Sequence, residues 1–167
     1  MRRCGSCNIC CRITEVRSGI VDSPAGELCM FYKKGCTLYR KAIRPLICRK
    51  YYCGWARGLG DIFDRPDESN VMLSVSEFNG GTWIFVQEIK RNAYRTTGKN
   101  IIIDAIKKVG LPVIVSAFDT KFGEDYGDYV ILSEKMEKRA GKIKGEYLTG
   151  LSDGINVYKL IADGCSV

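Results

Sequence analysis

Histidine does not occur anywhere in the 167 residues, and its absence removes several chemistries at once. Cys2His2 zinc sites, Rieske centres, Ser-His-Asp and Cys-His catalysis and imidazole proton shuttling all need a ring nitrogen. Any transition metal bound here must be held mainly by sulfur. Long apolar runs are absent too: no stretch reaches the roughly 18 residues of a bilayer-spanning helix, so no membrane partner is expected. The first residues, Met1-Arg2-Arg3-Cys4-Gly5-Ser6-Cys7, carry two positive charges and no apolar export segment, which sets the expectation of a cytoplasmic protein. There is no internal repeat, low-complexity tract or obvious linker. Arg57-Gly58-Leu59-Gly60-Asp61 completes no phosphate-binding glycine pattern and reads as a turn.

Cysteine is what the chain has in excess. Of nine, eight fall at Cys4, Cys7, Cys10, Cys11, Cys29, Cys36, Cys48 and Cys53, and Cys165 stands apart as an ordinary free thiol. In a reducing cytosol thiols stay available as thiolates, which favours metal ligation over a disulfide scaffold. Two residues between cysteines let both sulfurs reach one ion while the N–H groups of the turn point at the thiolates. That spacing occurs twice in succession in Cys4-Gly5-Ser6-Cys7-Asn8-Ile9-Cys10, and Cys11 then adds a thiol directed differently from Cys10. The adjacent pair serves two sites, or one of the two is a supporting thiol. Cys29, Cys36, Cys48 and Cys53 supply sulfurs from elsewhere in the fold. All-sulfur coordination suits zinc or a 4Fe-4S cluster, and the opening run is like the start of a bacterial ferredoxin motif without its continuation, so closing ligands must be remote.

Charge is uneven. Residues 1–66 hold 13 Lys/Arg against 5 Asp/Glu, a surplus of +8, whereas residues 67–167 hold 13 against 14. Thiolates change the meaning of that surplus, because Arg3, Arg12, Arg44, Arg49 and Lys50 lie beside cysteines whose ionised clusters need neutralising. Arg49, next to Cys48, is placed to donate to a thiolate. A zinc-dependent nucleic-acid binder using Arg2, Arg3, Arg12, Arg17, Lys33 and Lys34 ranks behind, and nucleic acid is not the expected partner.

The expected fold class is α+β: an irregular Cys-rich metal-binding module over residues 1–66, packed on a small domain over 67–167 with a mixed sheet and one or two helices. Phe31-Tyr32, Leu46-Ile47 and Tyr51-Tyr52 are expected to pack around the thiols. Val71 to Phe78 and Thr82 to Ile89 read as strands of a hairpin around Asn79-Gly80-Gly81. Ile101, Ile102, Ala105, Ile106 and Val109 recur at helical spacing, and Gly110 and Pro112 supply the stop. Val113 to Phe118, Tyr129 to Leu132 and Ile155 to Ile161 read as further strands, Ser133 as the cap of a short helix, and Thr149 to Gly154 as a turn. Asp119, Glu124, Asp125 and Asp128 read as solvated loop carboxylates that match no calcium loop.

The order Cys4-x2-Cys7-x2-Cys10-Cys11, then Cys29, Cys36, Tyr39, Arg44-Pro45 and Cys48-Arg49, resembles the CxxCxxCC cysteine-cluster family of zinc- or iron-chelating proteins over about residues 4–53. The resemblance implies metal binding by Cys4, Cys7, Cys10, Cys11, Cys29, Cys36, Cys48 and Cys53. A related module in the flagellin lysine methylase looks like an iron–sulfur element. The expected function is therefore a metal-binding protein whose cysteine cluster holds an iron–sulfur cluster or zinc in a structural or redox role, with a protein partner conceivable. The alternative is a cluster-dependent enzyme such as a protein methyltransferase, its acidic loop near the substrate.

Overall fold

The computed structural model describes residues 2–78, 80–117, 129–133 and 145–160. Among them the chain is mixed α+β, with a six-stranded sheet and four helices. The sheet strands are β3 (Val71–Phe78), β4 (Gly81–Glu88), β5 (Val113–Ala117), β6 (Tyr129–Ser133), β7 (Gly145–Ser152) and β8 (Ile155–Leu160), in the order β3-β4-β5-β6-β8-β7. All neighbours are antiparallel except β4 and β5. Parallel neighbours need a long crossover, and α4 (Lys99–Val109) provides it.

Period-two alternation divides the sheet into two faces. Ile84 and Val86 of β4, Val113 and Val115 of β5, Ile131 of β6 and Ile155 and Val157 of β8 enter one large core. Trp83, Ile114 and Val130 point the other way into a smaller cluster with Phe85 and Tyr158. α4 covers the large-core face with Ile101, Ile102, Ala105 and Ile106, spaced so that one stripe of the helix is apolar. Gly110 ends it at φ 71°, a left-handed conformation that glycine adopts without steric cost.

The hairpin closes more tightly than the sequence suggests. Phe78 pairs with Gly81, so two residues rather than three connect the strands. Ser133 ends β6, its backbone pairing with Ile155. Residues 149–152 belong to β7, and only Asp153 and Gly154 turn. β7 escaped sequence reading because its glycines and exposed Tyr147 and Leu148 break the alternation of a half-buried strand. The anticipated helix after Ser133, the acidic loop Asp119 to Asp128 and Cys165 lie outside the described residues.

Residues 2–70 hold only short elements: α1 (Ile9–Ile13), β1 (Val16–Arg17), β2 (Asp22–Ser23), α2 (Leu46–Lys50) and α3 (Pro66–Ser69). Helices this short are not stable alone, so packing must hold them. Ile9 and Ile13 of α1, four residues apart, drop into the large core beside the sheet, together with Trp55 and Ala56. Gly54 N–H donates to Leu73 O at 2.8 Å and joins the Cys-rich stretch to β3. Among the described residues no helix is long and apolar enough to cross a membrane.

Candidate metal centre

The first cysteines are set by a turn and a helix. Cys7 N–H donates to Cys4 O at 3.0 Å, and α1 begins two residues later. Successive residues on a helix point about 100° apart, so Cys10 leans toward the large core while Cys11 faces away from it. Cys29 is placed by its N–H donating to Cys11 O at 3.0 Å, and Tyr32 N–H in turn donates to Cys29 O at 2.9 Å. Tyr32 forms a bridge with Cys36, and its hydroxyl donates to Ser6 O at 2.6 Å. Pro45 approaches α2 in extended backbone, ψ 143°, and α2 presents Cys48. Cys53 precedes the Gly54 link to β3.

These local devices place the eight thiols around two adjoining cavities. Cys4, Cys10, Cys11, Cys29, Cys36, Cys48 and Cys53 line one cavity of about 80 Å3, along with Arg44, Phe31, Tyr51 and Tyr52. Cys7 lines a neighbouring cavity of about 260 Å3 that shares Cys4, Cys10, Cys11, Cys36 and Arg44 with the first. All eight are free thiols, with Cys7 and Cys53 buried and the other six partly exposed. The ring is open: among the described residues no group of three or more Cys, Asp or Glu is gathered closely enough to hold an ion as the side chains stand.

Burial pushes the Cys7 thiol up to about 12, against backbone N–H groups of Ile9 and Asp67 that favour the thiolate. It also raises Cys53, where the N–H groups of Ala56 and Trp55 oppose it, and Cys4, where the charges of Cys53 and then Cys11 add to it. Cys48 is raised by burial against Arg44. The adjacent pair splits. The Cys10 S–H donates a hydrogen bond to the Cys11 sulfur, which holds Cys10 up and brings Cys11 down to about 7, with the Arg44 guanidinium helping.

Arg44 is the cation that lines both cavities. Its guanidinium lies 4.7 Å from the centre of the Tyr39 ring, and its buried Nε has no hydrogen-bond partner. Burying an unpaired charged donor is costly, so this N–H is suited to an anionic neighbour. Sequence adjacency favours Arg49 for this role, but Arg49 is exposed on α2 and the charge near Cys48 belongs to Arg44. The orphan nitrogen can be identified only from tertiary structure. Leu46 points to solvent, whereas Ile47, Phe31, Tyr51 and Tyr52 line the thiol cavity. Tyr51 is tied to the sheet, its hydroxyl 3.2 Å from Met72 Sδ.

Two of the candidate nucleic-acid residues, Arg2 and Arg17, have partners within the chain. Arg2 folds back, with Nη1 donating to Leu59 O at 2.9 Å and Asp61 O at 3.1 Å, and Nη2 donating to Gly60 O at 2.8 Å. Arg17 pairs with Glu15. Compared with known proteins, the chain matches no family model, no curated protein and no solved structure.

Proposed function

We propose that this is a metal-binding protein in which Cys4, Cys7, Cys10, Cys11, Cys29, Cys36, Cys48 and Cys53 hold zinc or an iron–sulfur cluster in the N-terminal part of the fold. The observation that carries this reading is the single cavity walled by seven thiols and by a buried Arg44 guanidinium nitrogen with nothing to bind. The donor set fits the group: sulfur-only ligation is chosen by zinc and by iron–sulfur clusters, and a cation at the centre reverses the effect of burial by favouring thiolate over thiol. N–H groups aimed at Cys7 and Cys53 are the supporting contacts that metal-bound thiolates use. The order of the cysteines, which resembles the CxxCxxCC family, supports the same reading. Loading requires the thiols to turn inward from the cavity walls. When bound, the group supplies cross-links between short elements that have little regular structure of their own, and an iron–sulfur cluster adds electron transfer.

Anaerobic isolation followed by elemental mass spectrometry and a visible spectrum tests this. The expected result is stoichiometric zinc in a colourless protein, or iron with sulfide and broad visible absorption. Protein that is metal-free after isolation and takes up neither zinc nor reconstituted iron–sulfur cluster refutes it, as does a set of disulfides among the eight cysteines.

A further inference from the structure

We infer that the eight cysteines make two four-sulfur metal sites rather than one: Cys4, Cys7, Cys10 and Cys53 in the first, and Cys11, Cys29, Cys36 and Cys48 in the second, meeting at the Cys10-Cys11 peptide. The inference rests on the metal-binding reading above and adds the number and membership of the sites.

Packing divides the thiols first. Cys7 and Cys53 are buried members of the large core, with Cys10 packed against it, whereas Cys29, Cys36 and Cys48 pack against a separate apolar cluster of Val16, Val21 and Leu38. Hydrogen bonding divides them the same way: the Cys7–Cys4 turn stands on one side, and the Cys29–Cys11 backbone bond with the Tyr32 bridge to Cys36 on the other. The 100° step along α1 then lets neighbouring residues serve different centres, where one ion would force both sulfurs toward the same point. Cys4, Cys10, Cys11 and Cys36 line both cavities, so the two sets adjoin.

Each set also has its own means of offsetting thiolate charge. Backbone N–H groups of Ile9, Asp67, Trp55 and Ala56 serve Cys7 and Cys53. Arg44 lines the cavity together with Cys11 and Cys48, its buried Nε free to donate to a thiolate. Four thiolates around one dication, or around a 4Fe-4S core, leave a net negative centre, and two such centres explain why both kinds of compensation are built in.

The test uses the full chain, reduced and anaerobic, titrated with Co2+ and then with Zn2+, with bound metal counted by mass spectrometry. Thiolate-to-cobalt charge-transfer absorption should rise linearly to two equivalents. Saturation at one equivalent overturns the partition and leaves metal binding standing, whereas no uptake of cobalt, zinc or reconstituted iron–sulfur cluster overturns both. Paired substitutions assign membership. Cys29→Ser with Cys36→Ser should lose one of two ions, as should Cys4→Ser with Cys53→Ser, while Cys29→Ser with Cys53→Ser should lose both. Loss of all metal from the Cys29/Cys36 pair, with circular dichroism unchanged, overturns the assignment. Where a pair fails to fold, the cobalt titration of the unsubstituted chain decides the number of sites alone.

Discussion

Glu88, at the end of β4, is 0% exposed, with Oε1 accepting from Tyr94 N–H at 2.7 Å and Oε2 lacking any partner. Burial raises its carboxyl from 4.5 to about 7, against the N–H groups of Tyr94 and Asn92 and the charge of Arg95. Unfolded, the group ionises near 4.5 while the folded protein keeps the proton up to about 7, so the native state binds more protons through that window. Stability contributed by this group therefore falls as pH rises from 4.5 to about 7 and is level above it. Glu88→Gln should remove that slope, so the variant gains on the unsubstituted protein in urea midpoint on going from acid to neutral pH. Parallel profiles would contradict it. At Gly98 the constraint is steric. A Cβ would lie 2.5 Å from Cγ1 and 2.6 Å from Cγ2 of Val71, a wholly buried side chain. Gly98→Ala is expected to cost about 1–3 kcal/mol, read from denaturant midpoints.

Among the elements, the turn spanning Gly54 to Asp61 shows how one charged side chain can replace regular structure. Arg2 donates to four of its carbonyls, its guanidinium carbon lies 5.4 Å from the centre of the Trp55 ring, and Trp55 Nε1 donates to Asp61 O at 2.9 Å. Arg2→Met should destabilise the protein by about 1–3 kcal/mol, with faster amide exchange concentrated in residues 55–61. Unchanged exchange there would show the turn to be held by other contacts. The strong elements were legible in the sequence: α4 from its apolar spacing and glycine stop, β3 and β4 from their runs either side of a turn. α1, α2 and α3 were not, since five residues or fewer carry no measurable periodicity and their conformation depends on packing. β7 stayed hidden because edge strands need no buried alternation.

For the whole molecule, the Cys-rich stretch and the sheet share one core, so events at the thiols reach the strands through Ile9, Ile13 and Trp55. An ion that binds only the folded chain stabilises it by mass action, by about 2.7 kcal/mol at a free concentration 100 times its dissociation constant. Zinc added to the reduced protein should therefore raise the melting temperature in a concentration-dependent way, and a chelator should return it. A midpoint indifferent to zinc and chelator would count against a bound ion. Amide exchange should show the protection gained first around residues 4–53, where short elements have the least regular hydrogen bonding.

The sequence alone determined that no imidazole ligand exists while nine thiols do, and that the later part of the chain alternates as a sheet with one covering helix. Those conclusions follow from residue type and local spacing. Only the tertiary structure decided that seven thiols from positions 4 to 53 line one cavity, and that Arg44 rather than Arg49 lines it with them. The reason is physical: ligands 20 to 50 residues apart are brought together by which apolar residues share a core, and chain spacing does not encode that.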